Sequence, residues 1–195
     1  MRDLAERRGI DLEVYGPAED SYLLVTAVIE RIAPDDVVLD VGTGSGFVAE
    51  RLANTVGVRA VGVDVNPHAC RAARDRGVSV VRGDLVGSIR NDSCDVVVCN
   101  PPYLPETDTG RTSSWFERAV EAPAGGRGVL ERLLETVPRV LRDGGRCFAV
   151  VSSHMDVGAV KRFAVDRGYC VERVVTDDSY PDETLAVLRF TRTDE

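Results

Sequence analysis

Short apolar runs alternate with helix-like segments along almost the whole chain, and this alternation limits the folds that the sequence can adopt. The runs predicted as strands are Val37–Val41, Arg59–Val63, Val78–Arg82, Asp95–Cys99, Arg146–Ser152, Tyr169–Thr176 and Thr184–Thr191. The predicted helices are Ser21–Ile32, Phe47–Thr55, Pro67–Arg76, Val129–Arg142 and Val157–Arg167. Such β–α alternation is typical of a doubly wound, Rossmann-like α/β sheet that is mostly parallel. The last two strands predict a C-terminal antiparallel hairpin.

Helix boundary signals accompany this pattern. Asp20 or Ser21 is a candidate cap for the first helix. Pro138 is expected to kink the fourth helix, which Gly144 and Gly145 should end. We expect residues 1–195 to form a single domain, because 195 residues suit one hydrophobic core.

Composition points to an ordinary globular chain, with 44% hydrophobic and 29% charged residues. No stretch approaches the roughly 20 apolar residues of a membrane span, and no secretory leader is recognisable, so we expect a cytoplasmic protein without membrane contact. The five cysteines form no C-x-x-C pair. We therefore expect reduced, mostly buried thiols and no metal site.

The charge balance is acidic, with a formal net charge of −8, and Lys161 is the single lysine. A sequence-independent grip on nucleic acid normally needs a basic face, so nucleic acid is a disfavoured partner. An acidic, lysine-poor surface suits a high-salt cytoplasm, although a GC-rich genome also favours arginine.

A glycine-rich turn, Gly42-Thr43-Gly44-Ser45-Gly46, follows the first predicted strand. Gly42 and Gly44 would let a ligand approach the backbone closely. The G-x-G-x-x-G spacing of dinucleotide sites is absent, because Phe47 stands where the third glycine would be. Asp40, just before the turn, would repel a pyrophosphate and attract a cationic amino group.

Two more aspartates follow the second and third predicted strands. Asp64 suits the two hydroxyls of a ribose. Asp84 could accept a hydrogen bond from an adenine amine, and the Leu85 amide could donate to the ring. Each aspartate alone is an ordinary turn or cap residue. Together they outline a ligand with an adenine, a free ribose and an ammonium group, which S-adenosylmethionine satisfies.

The segment Asn100-Pro101-Pro102-Tyr103 follows the fourth predicted strand. Asn100 offers a side-chain carbonyl, and Pro101 offers a backbone carbonyl without an N–H. Two neighbouring acceptors can hold both hydrogens of an NH2 group, and Tyr103 can stack on a planar amide or base. The alternative is a plain strand-to-loop turn. The polar stretch Leu104–Ser114 that follows is either a lid or an ordinary surface loop.

These motifs resemble known enzymes. Asp40–Gly46 resembles the cofactor motif of class I methyltransferases, and Asn100–Tyr103 resembles the amino-methyltransferase signature shared by enzymes acting on adenine, guanine and glutamine. Val14–Ser21 is similar to the "YEPAEDT" segment of HemK-like protein-(glutamine-N5) methyltransferases, with Gly16 in place of Glu and Ser21 in place of Thr. Ala124–Gly128 and Asp182–Leu188 resemble the same family.

The resemblance is strongest to the short archaeal and eukaryotic branch, so we expect no N-terminal helical domain before Val37. It implies S-adenosylmethionine as the methyl donor, with Tyr15 and Ser21 joining Asp40, Gly42, Gly44, Asp64, Asp84, Leu85 and Asn100 around it. It implies methylation of the glutamine in the Gly-Gly-Gln motif of a class I translation release factor, with Asn100, Pro101 and Tyr103 as catalytic residues. It also implies a small zinc-binding activator protein on the edge strand Val78–Arg82.

Two competing functions stay open at this point. An adenine-N6 methyltransferase acting on DNA or RNA would use the same four residues, but it would have to flip a duplex base. A catalytically silent, cofactor-binding scaffold subunit would need no intact Asn100. The glycine spacing disfavours an NAD-dependent oxidoreductase.

Overall fold

The helices and strands alternate as the sequence predicts. A computed structural model describes residues 13–105, 115–179 and 181–193. The helices in these ranges are α1 (Glu19–Ile29), α2 (Phe47–Val56), α3 (Pro67–Asp75), α4 (Trp115–Val120), α5 (Gly128–Thr136) and α6 (Val157–Val165). The strands are β1 (Val37–Val41), β2 (Arg59–Asp64), β3 (Ser79–Arg82), β4 (Cys94–Cys99), β5 (Leu104–Pro105), β6 (Glu121–Ala122), β7 (Leu141–Ser152), β8 (Tyr169–Asp177) and β9 (Leu185–Arg192).

Seven strands form one sheet in the order β3-β2-β1-β4-β7-β9-β8. Strands β3, β2, β1, β4 and β7 are parallel neighbours, whereas β9 runs antiparallel to both β7 and β8. The predicted Rossmann-like sheet and its C-terminal antiparallel hairpin are therefore confirmed. Strands β5 and β6 form a separate two-stranded parallel sheet.

Helices cover both faces of the sheet, and alternate residues of the central strands supply the two cores. On one face, Val38 and Val96 pack with Leu24 of α1 and Leu52 of α2. On the other face, Leu39, Val41 and Val97 pack with leucines of α5 and with Val160 and Ala164 of α6. Since both faces are buried, the central strands are continuous apolar runs rather than alternating ones.

The order of the strands reverses at β1. The chain runs outward from β1 through β2 to β3, and then returns to place β4 on the other side of β1. In open α/β sheets, ligands bind at the carboxyl ends of the strands beside such a switch point. This rule directs attention to the segments that follow β1 and β4. None of the described helices is long and apolar enough to cross a membrane.

Two predicted boundaries are wrong. The cap of α1 is Ala18, which makes no side-chain hydrogen bond, and Asp20 and Ser21 lie inside the helix. The predicted helix Val129–Arg142 ends at Thr136 and continues as one 3₁₀ turn around Pro138. Strand β7 begins at Leu141 rather than at Arg146, so Gly144 and Gly145 lie within a strand and do not end the helix. Proline lacks an N–H and cannot donate to the carbonyl four residues earlier, which explains the early end.

The stretch Leu104–Ser114 is only partly described. Leu104 and Pro105 pair with Glu121 and Ala122 in the small sheet. Residues 106–114 lie outside the described residues, so the possible role of this stretch as a lid stays a prediction.

The two glycines that flank α2 allow a test of backbone packing. Both adopt left-handed geometry, with φ +82° at Gly46 and +88° at Gly57. A Cβ at Gly46 would lie 2.9 Å from the Ala73 Cα, whereas nothing lies within 4 Å of one at Gly57. Gly46→Ala should therefore reduce the free energy of unfolding by about 1–3 kcal/mol more than Gly57→Ala. Urea unfolding of the two variants measures this, and equal losses would contradict it.

Candidate active site

A cavity of ≈ 320 Å³ opens at the carboxyl ends of the parallel strands. Its wall brings together nearly all the residues predicted from sequence, namely Tyr15, Ser21, Asp40, Gly42, Gly44, Asp64, Asp84, Leu85, Asn100 and Pro101. These residues come from five separate parts of the chain. Their convergence follows from the parallel register of β1, β2 and β4, which ends neighbouring strands at the same level.

Backbone hydrogen bonds fix the glycine-rich turn against the end of β2. The amides of Gly42 and Thr43 donate to the Val63 carbonyl at 2.8 and 3.1 Å. The Gly44 amide donates to Oδ2 of Asp64 at 2.9 Å. The turn is thus held by the neighbouring strand before any ligand binds.

Asp40 is a buried carboxylate at the floor of the cavity, with 2% of its surface exposed. It accepts hydrogen bonds from the Thr43 hydroxyl at 2.7 Å and from the Ala49 amide at 3.2 Å. Burial raises the pKa of Asp40 to about 6, although these two hydrogen bonds oppose the shift. The nearby charge of Asp64 adds to the rise in the pKa.

Asp64 is the second acid on the wall. Its Oδ1 accepts from the Asn66 amide at 2.8 Å, and its Oδ2 accepts from Gly44. Burial raises the pKa of Asp64 as well, against the effect of these backbone amides. Two carboxylates on the same wall give the cavity a negative potential, which favours a cationic ligand.

Asp84 is less available than predicted. Its carboxylate forms an ion pair with Arg132 of α5, with an N···O distance of 2.6 Å, and 62% of its side chain is exposed. An adenine amine would have to share this carboxylate with Arg132 or displace Arg132 from it. The neighbouring Leu85 has φ +48°, a left-handed conformation that is unusual for leucine. The expected donation from its amide to a ring stays a prediction.

Asn100 presents an unused acceptor. Its Nδ2 donates to the Ser21 hydroxyl at 3.5 Å. Its Oδ1 is buried and accepts no hydrogen bond from any described residue. A buried carbonyl without a donor costs free energy, so such groups are rare unless a ligand completes them. Asn100 Oδ1 is therefore a candidate acceptor for an N–H group of a ligand.

Tyr103 does not lie where its predicted stacking role would place it. It is not part of the described cavity wall. Its ring packs against both cores, and its hydroxyl donates to Asp20 at 3.3 Å. Burial is the largest cause of the raised pKa of Tyr103, followed by the charge of Asp20. In this structure Tyr103 supports the site from behind the wall.

The segment before α1 closes one side of the cavity. Tyr15 lies on the wall, and its hydroxyl donates to Asp20 at 3.0 Å. Asn66 anchors this segment, because its Nδ2 donates to the Glu13 carbonyl at 2.6 Å. Glu13 also pairs with His68 at 2.7 Å. Contacts between residues that are 53 or more positions apart in sequence thus hold the segment that carries Tyr15.

Sequence reasoning missed several residues of the wall. Trp115 and Arg118 of α4 and Arg132 of α5 all line the cavity. The guanidinium of Arg118 lies 4.9 Å from the centre of the Trp115 ring. Trp115 is the only tryptophan in the chain, and this single aromatic residue is the sequence feature that could have indicated a role for this segment in the site. Among the described residues, no cluster of three or more acidic, histidine or cysteine side chains could hold a metal ion.

Comparison with known proteins places this geometry in a family. Residues 38–122 match the family model described as "Methyltransferase domain". A protein of Methanocaldococcus jannaschii assigned as an N5-glutamine methyltransferase is 33% identical over 73% of this chain and 76% of its own. Human methyltransferase HEMK2 is 31% identical over 95% of this chain and 92% of its own. The release factor glutamine methyltransferase of Moorella thermoacetica is 30% identical over 89% of this chain and 66% of its own.

A solved structure agrees with these relatives. The Mtq2–Trm112 complex of E. cuniculi, responsible for methylation of the eRF1 translation termination factor, superposes with a TM-score of 0.76 at 29% identity. The match covers 93% of this chain and 99% of that chain. The fold and the sequence similarity therefore extend over nearly all of both chains.

The raised pKa of Asp40 predicts a pH dependence of stability. The folded state holds the Asp40 proton up to about pH 6, whereas the ordinary pKa of an aspartate is 3.8. Protonation therefore stabilises the fold below that pH, and this stabilisation is lost as the pH rises through about 6. From about pH 4.5 to pH 8, wild type should lose about 2 kcal/mol of unfolding free energy relative to Asp40→Asn.

Chemical denaturation at several pH values measures this difference. Asp177→Asn is the control, because hydrogen bonds from Ser179 lower the pKa of this fully exposed carboxylate, so its contribution should stay constant over this pH range. A difference between wild type and Asp40→Asn that stays constant with pH would contradict the assignment.

Proposed function

The chain belongs to the protein N5-glutamine methyltransferase family, and on this premise we propose that it methylates the glutamine of a class I translation release factor. The methyl donor would be S-adenosylmethionine, and the acceptor would be the side-chain amide nitrogen in a Gly-Gly-Gln motif. The observation that carries this proposal is the buried, unpaired Oδ1 of Asn100 on the cavity wall.

The donor set of the cavity fits S-adenosylmethionine. When bound, this cofactor supplies an electrophilic methyl group on a positively charged sulfur. Asp40 and Asp64 contribute negative charge to the wall, which favours a ligand carrying an ammonium and a sulfonium group. Asp64 is also suited to the ribose hydroxyls. The glycine-rich turn from Gly42 to Gly44 presents backbone without side chains to the ligand.

The acceptor end of the cavity fits an NH2 group. Asn100 and Pro101 stand side by side on the wall and supply two carbonyl oxygens. An amide nitrogen is a weak nucleophile, because its lone pair is shared with its own carbonyl. Accepting both of its N–H bonds would orient that lone pair and stabilise the positive charge that develops during transfer.

Proton transfer needs no strong base in this scheme. The nitrogen gains a bond to carbon and becomes an acidic cation, and it then loses one of its two protons to water. The carbonyl oxygens of Asn100 and Pro101 only accept hydrogen bonds from the substrate throughout. Orientation of the two reactants therefore carries much of the rate.

Substitutions at the two ends of the cavity should separate catalysis from cofactor binding. Asn100→Ala should abolish methyl transfer and change the Kd for S-adenosylmethionine by no more than a few-fold. Asp64→Ala should weaken that binding by about 1–3 kcal/mol, because ribose hydroxyls lose their acceptor. Isothermal titration and a methyl-transfer assay with a recombinant release factor measure both effects.

Mass mapping of the modified release factor tests the acceptor itself. A single methyl group on the glutamine of Gly-Gly-Gln is the expected result. A methyl group on adenine, formed at a comparable rate with DNA or RNA, would favour the competing nucleic-acid function. Near wild-type turnover by Asn100→Ala would remove Asn100 from the mechanism.

We also propose that this chain, like Mtq2 in the Mtq2–Trm112 complex, binds a small partner protein, and that the partner lies along β3. Strand β3 lies at one edge of the seven-stranded sheet. Val81 on this strand and Val65 after β2 are exposed by 37% and 41%. An open edge with apolar side chains beside it is suited to strand addition.

The hydrogen-bond pattern indicates which residue of β3 faces the partner. The Gly83 amide donates to the Asp64 carbonyl of β2 at 3.0 Å. Backbone N–H groups point to alternate sides along a strand. The Val81 N–H therefore also points toward β2, and the Val80 N–H points toward the open edge. Val80→Pro would therefore remove an outward donor and leave the internal ladder in place.

The expected result is loss of the complex with Val80→Pro and its retention with Val80→Ala, which keeps the N–H. Co-purification with the candidate activator, followed by metal analysis for the zinc that the family resemblance implies, measures this. Full activity of the isolated chain, unchanged by Val80→Pro, would contradict the partner proposal.

A further inference from the structure

Asp20 is a buried carboxylate that touches neither the cavity nor an ion-pair partner among the described residues, yet it receives four hydrogen bonds. Its Oδ2 accepts from the hydroxyls of Tyr15 at 3.0 Å and Tyr103 at 3.3 Å. Its Oδ1 accepts from the amide of Ser21 at 2.6 Å and from the hydroxyl of Ser21 at 3.1 Å. Only 3% of the surface of Asp20 is exposed.

All four donors are held in the donating state by this arrangement. Burial, followed by the charge of Asp20, raises the pKa of both Tyr15 and Tyr103, so both phenols keep their protons. A carboxylate cannot donate, so the single hydroxyl hydrogen of Ser21 is committed to Asp20. The Ser21 oxygen can then offer only lone pairs to its other neighbour.

That other neighbour is the side-chain amide of Asn100, whose Nδ2 lies 3.5 Å from the Ser21 hydroxyl oxygen. At this length the contact contributes little energy of its own. The contact matters because it determines which end of the Asn100 amide faces Ser21. A lone pair on the Ser21 oxygen attracts the NH2 end of the amide and repels the carbonyl end. The carbonyl end, Oδ1, is consequently left unpaired on the cavity wall.

A reversed amide would defeat the proposed acceptor site. If the Ser21 hydroxyl were free to donate, the Asn100 carbonyl could turn toward it. The NH2 group of Asn100 would then face the NH2 group of the incoming glutamine, and two donors would meet without an acceptor. The orientation of one hydroxyl hydrogen therefore decides whether the site can hold its substrate.

We propose that Asp20 is a positioning residue, which fixes the orientation of the Asn100 amide through the Ser21 hydroxyl. The inference rests on the proposed function, because it assumes that Asn100 Oδ1 receives the glutamine amide. Tyr15 and Tyr103 take part by holding the second oxygen of Asp20. This assigns Tyr103 a role in the site that does not require it to stack on the acceptor.

The test compares Asp20→Asn and Ser21→Ala with the conservative variant Ser21→Thr and with the control Glu19→Gln. Ser21→Thr keeps the hydroxyl, and Glu19→Gln removes a neighbouring charge from the exposed face of the same first turn. Asp20→Asn and Ser21→Ala should lose about 10- to 100-fold in kcat, as misplaced reacting groups do, while the Kd for S-adenosylmethionine changes no more than threefold in Asp20→Asn. Glu19→Gln should stay within threefold of wild type in kcat, and Ser21→Thr should recover most of the kcat that Ser21→Ala loses.

A double variant distinguishes a relay from two independent effects. If Asp20 acts through Ser21, then Asp20→Asn with Ser21→Ala should be no slower than the slower single variant. Thermal unfolding of each variant identifies a loss of folding. Losses that multiply in the double variant, or a wild-type kcat in Asp20→Asn, would overturn the relay.

NMR of the Asn100 side-chain NH2 in the free protein provides a second measurement that needs no substrate. Slow rotation and slow solvent exchange are expected in wild type and Ser21→Thr, and faster exchange in Ser21→Ala and in Asp20→Asn. An Asn100 signal unchanged by both lesions would refute the inference even if Asp20→Asn folds poorly. If wild type transfers no methyl group to glutamine, the proposed function fails, and the NMR result still decides the orientation of the amide.

Discussion

The parallel pairing of β1 with β2 on one side and with β4 on the other determines where the strand-end residues of the cavity lie. In this register Asp40 is opposite Gly62 and Val98, and Val41 is opposite Val63 and Cys99. The three strands therefore end at one level, and the segments after them meet in a single cavity. A slip of one residue would reverse the facing of a whole strand, so the buried faces hold this register firmly.

Burial of acidic groups beside one another gives the cavity its chemical character. Asp40 and Asp64 both have a raised pKa, chiefly because burial disfavours the charged form. A bound cation would stabilise the charged form of both acids and so offset part of the free energy that burial costs. The cavity therefore favours positively charged ligands. Asp84, by contrast, has a cationic partner, because it pairs with Arg132 at the exposed side of the wall.

The acceptor end depends on residues that are distant in sequence and that act through hydrogen-bond polarity. Asp20 and Ser21 belong to α1, whereas Asn100 and Tyr103 follow β4. Helix α1 packs its buried face on the core that includes Val96 and Val98 of β4, and this contact brings the two segments together. An organised site of this kind lowers the reorganisation needed at the moment of reaction. It also explains why the segment from Tyr15 to Ser21 matters although it precedes the sheet.

The sequence by itself determined the fold class, the strands and most of the cavity wall. Apolar periodicity and strand-end position are local signals, and carboxyl ends of parallel strands meet in any doubly wound sheet. Only the tertiary structure decided the hydrogen-bond partners. It placed Tyr103 behind the wall on Asp20, paired Asp84 with Arg132, and brought Trp115 to the cavity. It also ended α5 at Thr136, where packing and Pro138 outweigh local helical preference. These features depend on contacts between residues that are far apart in the chain, and no local pattern encodes which distant donor reaches a given acceptor.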